Sequence, residues 1–522
     1  MKQTTKKFLG KGRSAEVFRL TISRKAVARK IFTGSAAADF VMSFFFGTPV
    51  DYQWNEAAVK TAYYRRKVLA FLLKAHFGKS LRIAEALGYG HDQDFNAYYL
   101  DAEFCKGELP ALYTPFSNTH IGEYQELNDG ILPELQSMLL ETGFTGTVWQ
   151  AGYGQPCAVA NFLCESFSDT AGESRWVWID AESGVPAVAS HNPVKQLTFY
   201  IPQMLRRGRP LFDDIDQEVL FQYLENNSEF LEDKLGSAGL NNLRSDAEEL
   251  ISAYRLWRKE TRLSRVVKYL CFQRKIPSDY AEALLAGKAS RIMFMLTVYF
   301  PLLCTKILSA SARKVVKLVK AFSPTRWCIF FLMSGVSRKY RIEKSRGFVI
   351  RRIREWKKLG RITSKEAGVL EKELYIRESS QYLADFGVFL ALKPFGYFVK
   401  LCILPVLLLY GLISPQTAVF IIAFFSISLR FTYAVIRAVE DLLRGRGFPY
   451  IALLVAPVPS FGTMAYPCQM VHTARKGHEA SRFIVYEVCS TIAAKFPIWG
   501  GYNSELEYFL NRLAYKVIKA SE

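Results

Sequence analysis

Two glycines and a lysine near the amino terminus have the residue types and spacing that phosphate chemistry uses. Gly10 and Gly12 are separated by one residue, so a turn there can bring its backbone close to a phosphate without a side chain in the way. The runs that contain Val17 and Lys30 are rich in apolar and β-branched residues, which is typical of strands. The sequence predicts a hairpin whose turn holds the glycines and whose second strand carries Lys30.

A second set of polar residues lies on a predicted hairpin further along the chain. Asn161 begins one short strand, and Asp180 follows the returning strand that ends at Ile179. Because the strands of a hairpin are antiparallel, these two side chains lie close together, and their oxygens suit Mg²⁺. The alternatives are a turn residue at Asn161 and a strand-end cap at Asp180. Glu182 is a candidate for a further metal ligand or a base.

The first hairpin resembles the glycine-rich loop and strand-three lysine of the protein kinase-like superfamily, G-x-G-x-x-G-x-V followed by V-A-I-K. Ala15 stands in place of the third glycine. The resemblance implies ATP and Mg²⁺ as cofactors, with Gly10, Gly12 and Val17 covering the nucleotide and Lys30 holding its phosphates. It also implies that Asn161 and Asp180 hold the metal ion, although Asp180 is followed by alanine where the family has Asp-Phe-Gly.

The same resemblance implies a helix whose carboxylate orients the lysine. Asn55 is a plausible N-cap, and the stretch from Glu56 to Phe77 has a helical apolar face. Glu56 is therefore the candidate partner of Lys30, so that Lys30, Glu56 and Asp180 form the implied catalytic set. The alternative is that Glu56 only interacts favourably with the helix dipole in the first turn.

The usual catalytic base of the family is missing from this chain. No carboxylate occurs between Glu141 and Glu165, and Gly-Gln-Pro at 154–156 stands where the family has His-Arg-Asp. Two functions remain open for that reason. One is an atypical, membrane-anchored kinase-like protein that transfers phosphate to a protein or a membrane-linked substrate. The other is an inactive, nucleotide-binding pseudokinase that regulates or scaffolds a membrane complex.

Length and composition limit the protein class. The chain has 522 residues, of which 50% are hydrophobic and 14% aromatic, so a disordered chain is excluded and more than one domain is expected. Its nine cysteines are scattered without a C-x-x-C pair, which fits a reducing compartment and argues against a zinc site. The amino terminus lacks the apolar run of a signal peptide.

The predicted fold class is α+β, with a two-lobed protein kinase-like domain followed by an α-helical membrane region. The kinase-like domain covers residues 1–200, with an N-lobe over about 1–105 and the core of the C-lobe over about 106–200. Residues 201–290 are predicted as its helical extension, because apolar residues recur there at helical spacing. The three acidic residues Asp213, Asp214 and Asp216 are interpreted as first-turn caps rather than a metal cluster.

Residues 291–522 are predicted to associate with a membrane. The segments around 397–413, 416–436 and 449–471 approach the length of about 20 apolar residues that a bilayer span needs. Ile292 to Ala310 is also apolar, and whether it crosses or lies in the interface stays open. The alternative for all of these segments is buried core helices of a soluble domain.

The formal net charge of +20 is concentrated in one block. Residues 311–361 contain 16 Lys and Arg against two Glu, a net of +14, interleaved with aromatic residues such as Trp327 and Trp356. Basic residues with aromatic anchors favour the anionic cytoplasmic leaflet of a lipid bilayer. Nucleic acid is an unlikely partner because no nucleic-acid-binding module accompanies the block. The expected location is thus a multi-pass protein of the cell membrane whose kinase-like domain is cytoplasmic.

Overall fold

The structure is a computed structural model in which the chain divides into two compact units. The first holds nearly all described residues up to 294, and the second holds those from 324 onward. The described residues are 6–12, 14–22, 25–107, 126–154, 161–165, 176–188, 192–287, 293–294, 324–358, 362–377, 379–399, 403–443, 445, 449–457, 465 and 479–493.

The first unit begins with a five-stranded antiparallel sheet of order β1-β2-β3-β6-β5. Its strands are β1 (Lys7–Lys11), β2 (Glu16–Ile22), β3 (Lys25–Ile31), β5 (Ala86–Asp92) and β6 (Ala97–Glu103). The predicted strands around Val17 and Lys30 are confirmed as β2 and β3, and these two residues lie opposite each other. The glycines, however, lie in β1 and in the turn after it, so that Lys30 is on the third strand rather than the second.

Two helices separate β3 from the next strands. Helix α1 (Ala36–Phe46) starts at the N-cap Ser35 and ends at Gly47, whose φ of 83° is in the left-handed region. Helix α2 (Glu56–Phe77) follows a short 3₁₀ turn at Asp51–Gln53. Asn55 caps α2 as predicted, because its side chain accepts a hydrogen bond from the backbone N–H of Ala58.

A second, three-stranded sheet has the order β4-β8-β7. It consists of β4 (Leu81–Ile83), β7 (Phe162–Cys164) and β8 (Trp176–Trp178), with β4 and β8 parallel and β7 and β8 antiparallel. The predicted hairpin of Asn161 and Asp180 is therefore present. Both tryptophans of β8 are fully buried, which fixes the strand that leads into Asp180.

Helices complete the first unit. They are α3 (Leu132–Glu141), α4 (Ile201–Arg207), α5 (Gln217–Asn226), α6 (Ser228–Lys259), α7 (Arg262–Phe272) and α8 (Ser278–Ala286). Short helical turns lie at Glu126–Ile131, Val148–Ala151, Pro193–Lys195 and Gln196–Tyr200. Helix α6 packs along α2, and its backbone is interrupted at Gly236, where φ is 75°. The sheets and helices together confirm the α+β class.

The second unit is helical over its described residues. Its helices are α9 (Pro324–Val336), α10 (Arg338–Lys358), α11 (Ser364–Glu373), α12 (Ser379–Phe398), α13 (Leu404–Leu409), α14 (Pro415–Leu443), α15 (Tyr450–Val455) and α16 (Glu479–Ala493). Apolar side chains of α10, α11, α12 and α16 share one core, which includes Leu383 and Phe483. Trp356, predicted to be a membrane-interface anchor, is 1% exposed within this core.

The prediction of a multi-pass membrane protein is wrong for the described part of the chain. Within it, each helix is too short or too polar to cross a bilayer. The predicted span 397–413 is divided between the end of α12 and the six residues of α13. Residues 416–436 belong to α14, which carries Arg430 inside the predicted span and an Arg437–Asp385 ion pair just beyond it.

The remaining predicted apolar segments are only partly described. Ile292 to Ala310 lies outside the described residues except for 293 and 294, and so does most of 449–471. Within 449–471, α15 is six residues long. The membrane spans were predicted from the number of apolar residues in each segment, and that number does not show where a helix ends.

Candidate functional site

Lys30 is the centre of the candidate site. It lies in β3 and is 9% exposed. Its Nζ atom donates hydrogen bonds to Asp180 Oδ1 at 2.5 Å and to Glu182 Oε2 at 3.0 Å. Burial opposes its charge, but the two carboxylates outweigh this effect and raise the pKa of Lys30. The lysine therefore stays protonated between two carboxylates that lie 150 and 152 residues further along the chain.

The two carboxylates differ in their access to solvent. The side chain of Asp180 is 38% exposed, whereas that of Glu182 is fully buried. Asp180 lies two residues after the end of β8, and its backbone carbonyl accepts a hydrogen bond from the indole N–H of Trp178. Asp180 is thus a carboxylate held in place by its strand with one side open to a ligand.

Glu182 is held by Arg66 of α2. The guanidinium donates from Nε to Glu182 Oε1 at 2.6 Å and from Nη2 to Oε2 at 2.9 Å, a bidentate pair. Burial alone would raise the pKa of Glu182, but Arg66 and Lys30 hold it well below its usual range. Both oxygens are occupied and the carboxylate stays charged. Glu182 was predicted as a base or an additional metal ligand, and in the structure both of its oxygens are paired with cations.

Arg66 also ties α2 to the backbone at the ends of two strands of the three-stranded sheet. Its Nη1 donates to the carbonyl of Ala84 at 3.1 Å, and its Nη2 donates to the carbonyl of Ile179 at 2.7 Å. The guanidinium is fully buried, and these acceptors with Glu182 satisfy it. One side chain thereby joins α2, the segment after β4 and the segment after β8.

The neighbouring Arg65 supports the same segment through Asp213. Arg65 Nη1 lies 3.2 Å from Asp213 Oδ2, which also accepts hydrogen bonds from the Tyr52 hydroxyl and from the backbone N–H of Ser183. Asp213 is fully buried and has a φ of 53°, an uncommon conformation for a residue other than glycine. Arg66 thus holds Glu182 directly, and Arg65 holds Ser183 through Asp213.

Of the three acidic residues before α5, one caps the helix as predicted and two do not. Asp216 is the N-cap of α5, as predicted. Asp213 and Asp214 are instead fully buried, and Asp214 accepts hydrogen bonds from Arg209 and Tyr254. Their role is charge pairing in the core rather than helix capping.

The glycine turn lies beside this segment. Gly10 pairs with Val17 next to an irregularity in the β1–β2 register, and the backbone N–H of Gly12 donates to the carbonyl of Ala15. A Cβ atom added to Gly184 would lie 3.1 Å from Cβ of Ser14. The turn after β1 and the segment after Asp180 therefore approach each other closely, and Lys30 contacts the same segment from β3.

Glu56 does not occupy the position that the resemblance implied. It is exposed at the start of α2 and accepts a hydrogen bond from the Tyr98 hydroxyl, whose pKa is raised by burial and by this carboxylate. Lys30 is bound by Asp180 and Glu182 instead. The residue of α2 that reaches the site is Arg66, ten residues beyond Glu56 and about 15 Å further along the helix axis.

Asn161 lies at the start of the hairpin strand. Its backbone carbonyl accepts a hydrogen bond from Ile179, the residue before Asp180, so Asn161 and Asp180 are neighbours across the hairpin. The described residues contain no cluster of three or more His, Cys, Asp or Glu side chains suited to a metal ion. Residues 155–160, which include two of the three residues that stand in place of the family's His-Arg-Asp, lie outside the described part of the chain.

Sequence reasoning missed Arg65, Arg66 and Asp213. The available signal was two consecutive arginines in a helix whose other buried positions are apolar apart from Thr61, because a buried arginine needs an acid partner. Which acid it meets depends on contacts more than 100 residues apart, and helical spacing does not encode these.

The chain was also compared with known proteins. No protein-family model, curated protein or solved structure matches it.

Proposed function

We propose that the first unit is an atypical kinase-like domain that binds ATP with Mg²⁺ and transfers the terminal phosphoryl group to an acceptor hydroxyl. Supporting features are a glycine turn after the first strand, a lysine on the third strand and a long helix before the fourth. The observation that carries the proposal is the contact of Lys30 with Asp180, a partly exposed carboxylate at the end of a hairpin strand.

The charges of the site fit a nucleotide with a divalent cation. Lys30 and Arg66 balance Asp180 and Glu182, so the cluster is neutral without ligands. Asp180 is open to solvent and offers the hard oxygen ligand that Mg²⁺ prefers, with Asn161 next to it across the hairpin. Bound Mg²⁺ would neutralise charge on the phosphates. Lys30 would keep Glu182 as its partner and turn its remaining N–H donors to the phosphates.

In this proposal Glu182 takes the orienting role that the helix glutamate has in the family. It contacts Lys30 directly, and Arg66 connects it to α2. The link between helix and lysine is preserved, but the helix supplies the cation and the segment after Asp180 supplies the anion. Glu182 is a positioning residue here, because both of its oxygens are already bound within the protein.

Transfer without the usual base is chemically reasonable. Phosphoryl transfer depends mainly on positioning and charge neutralisation, so loss of the base lowers the rate without removing the reaction. Lys30 and Asp180 supply those two contributions.

A nucleotide-binding pseudokinase is the second candidate. The observation that favours it is the lack of any carboxylate between Glu141 and Glu165, together with the complete pairing of Glu182. Such a protein would bind nucleotide at Lys30 and release no product.

Turnover separates the two candidates. ADP formation is measured with Mg²⁺ and ATP for the wild type, for Asp180→Asn and for Asp94→Asn, an exposed control in the β5–β6 loop. An active kinase predicts ADP formation that falls by about 10²-fold in Asp180→Asn and is unchanged in Asp94→Asn. Equal activity in all three proteins would contradict the assignment of Asp180. Nucleotide binding without ADP formation would establish the pseudokinase.

A further inference from the structure

A cavity of about 600 Å³ lies among the helices of the second unit, between α10, α12 and α14. This volume is in the range of small-molecule binding sites, which combine an apolar lining with a few polar groups. The cavity is lined by both charged and aliphatic side chains. Charged side chains come from Arg338, Arg341, Asp385, Arg437 and Glu440, and aliphatic side chains include Val388, Leu392, Leu429 and Ile436.

Two arginines line the cavity, and each has a buried and unsatisfied Nε donor; Arg437 is buried as a whole, whereas Arg341 is partly exposed. Arg437 has a side chain 6% exposed and pairs with Asp385 and Glu440 through its two Nη atoms. Arg341 donates from Nη1 to the last carbonyls of α9, at Ser334 and Gly335. The Nε atoms of both arginines are buried and have no hydrogen-bond partner within the described part of the chain.

The position of Arg341 is set by close helix packing. A Cβ atom on Gly387 of α12 would lie 2.7 Å from Cβ of Arg341 and 2.9 Å from its carbonyl oxygen. Only glycine therefore allows α10 to approach α12 this closely, and Arg341 is held against the cavity wall. An unsatisfied buried donor costs free energy, so an acceptor atom from a ligand at this place would be stabilising.

The charge of the cavity favours an anion. Its three arginines face two carboxylates, a surplus of one positive charge. The carboxylates are engaged with Arg437, whereas Arg341 donates to neutral backbone carbonyls, so positive charge faces the cavity at Arg341. Guanidinium groups suit carboxylate and phosphate oxygens, and the aliphatic lining suits a hydrocarbon chain.

We propose that this cavity of the second unit binds a single-chain amphiphile with an anionic head group. The carboxylate or phosphate head accepts hydrogen bonds from the free Nε donors of Arg341 and Arg437. The chain lies against Val388, Leu392 and Leu429. This site is independent of the nucleotide site proposed for the first unit.

The test is calorimetric titration of the full-length protein with decanoate and decyl phosphate below their micelle concentrations. Decanol and decylammonium serve as neutral and cationic ligands of the same chain length. We expect at least one anionic ligand to bind at least about tenfold more tightly than decanol and decylammonium. The reason is that one hydrogen bond to a charged group contributes enough binding free energy for a tenfold change in affinity. Tighter binding of decanoate or of decyl phosphate identifies the head group.

Two substitutions place the ligand in the cavity. Arg341→Met is expected to weaken anion binding about tenfold, whereas Arg351→Met, an exposed arginine on the same helix, leaves it unchanged. Leu392→Trp fills the apolar end and should abolish binding, with the exposed Leu412→Trp as its control. If Arg341→Met does not fold, the comparison of Leu392→Trp with Leu412→Trp still shows whether the ligand binds in the cavity.

Three results would overturn the proposal. They are no binding of either anionic amphiphile, equal affinity for decanol, and full binding in a folded Leu392→Trp variant.

Discussion

Replacement of Arg66 by methionine is expected to destabilise the first unit. The substitution removes the bidentate partner of Glu182 and two hydrogen bonds to backbone carbonyls, at Ala84 and Ile179. Glu182 is then left as a fully buried carboxylate whose remaining ion pair, among the residues that the structure describes, is with Lys30. Methionine retains most of the aliphatic volume of arginine, so the change reports on charge pairing more than on packing.

The expected magnitude follows from the burial of the pair. Breaking a buried ion pair by removing one partner costs about 3–5 kcal/mol, and the remaining contact with Lys30 places this case at the lower end, about 3 kcal/mol. Glu182→Gln keeps the shape and removes the charge, with a similar expected loss. If the pair acts as a unit, the double variant loses less unfolding free energy than the two single variants lose together, with a coupling free energy of about 2 kcal/mol.

The assay is urea unfolding of the four proteins of this cycle, followed by tryptophan fluorescence. Trp176 and Trp178 of β8 are fully buried close to the pair and report on its surroundings. The control is Arg244→Met, an exposed arginine on α6, which should stay within about 0.5 kcal/mol of the wild type. A loss for Arg66→Met as small as that of the control, or a coupling free energy near zero, would refute the role given to this pair.

Three further outcomes are expected in the first unit. Gly146→Ala should cost about 1–3 kcal/mol of unfolding free energy, because its Cβ would lie 1.9 Å from the backbone nitrogen of Asp214, whereas Gly88→Ala, with nothing within 4 Å, should not show this loss. Asp213→Asn should lower the thermal midpoint by removing the charge that pairs with a buried arginine. The third outcome concerns the pH dependence of stability. Burial would raise the pKa of Glu182, but its ion pairs lower it. The contribution of these ion pairs to the free energy of unfolding is therefore complete above a pH of about 4.3 and is lost as the pH falls below that value. Urea midpoints measured against pH should therefore decline more steeply below that value in the wild type than in Glu182→Gln.

The strands and helices of the first unit were largely predictable from local sequence. The strands around Val17 and Lys30, the N-cap at Asn55 and the hairpin of Asn161 and Asp180 follow from residue types and short-range patterns. Such patterns act within a few residues, so the sequence alone was sufficient for them.

The partner of Lys30 was not predictable in the same way. The prediction of Glu56 assumed that the first turn of α2 reaches β3, but the close approach occurs three turns later, at Arg66. The pairing of Glu182 with Arg66 joins segments 116 residues apart, and no local pattern encodes it. The membrane prediction failed for a related reason, because apolar composition does not show where α12 and α13 end.

In the proposed function, Lys30 binds nucleotide phosphates beside Asp180. Calorimetric titration with ATP and Mg²⁺ tests it most directly, using the wild type, Lys30→Met and the control Lys25→Met, whose lysine is exposed at the start of the same strand. We expect binding by the wild type and by Lys25→Met, and at least tenfold weaker binding by a folded Lys30→Met. Lack of binding by the wild type, or equal affinity of the two variants, would contradict it.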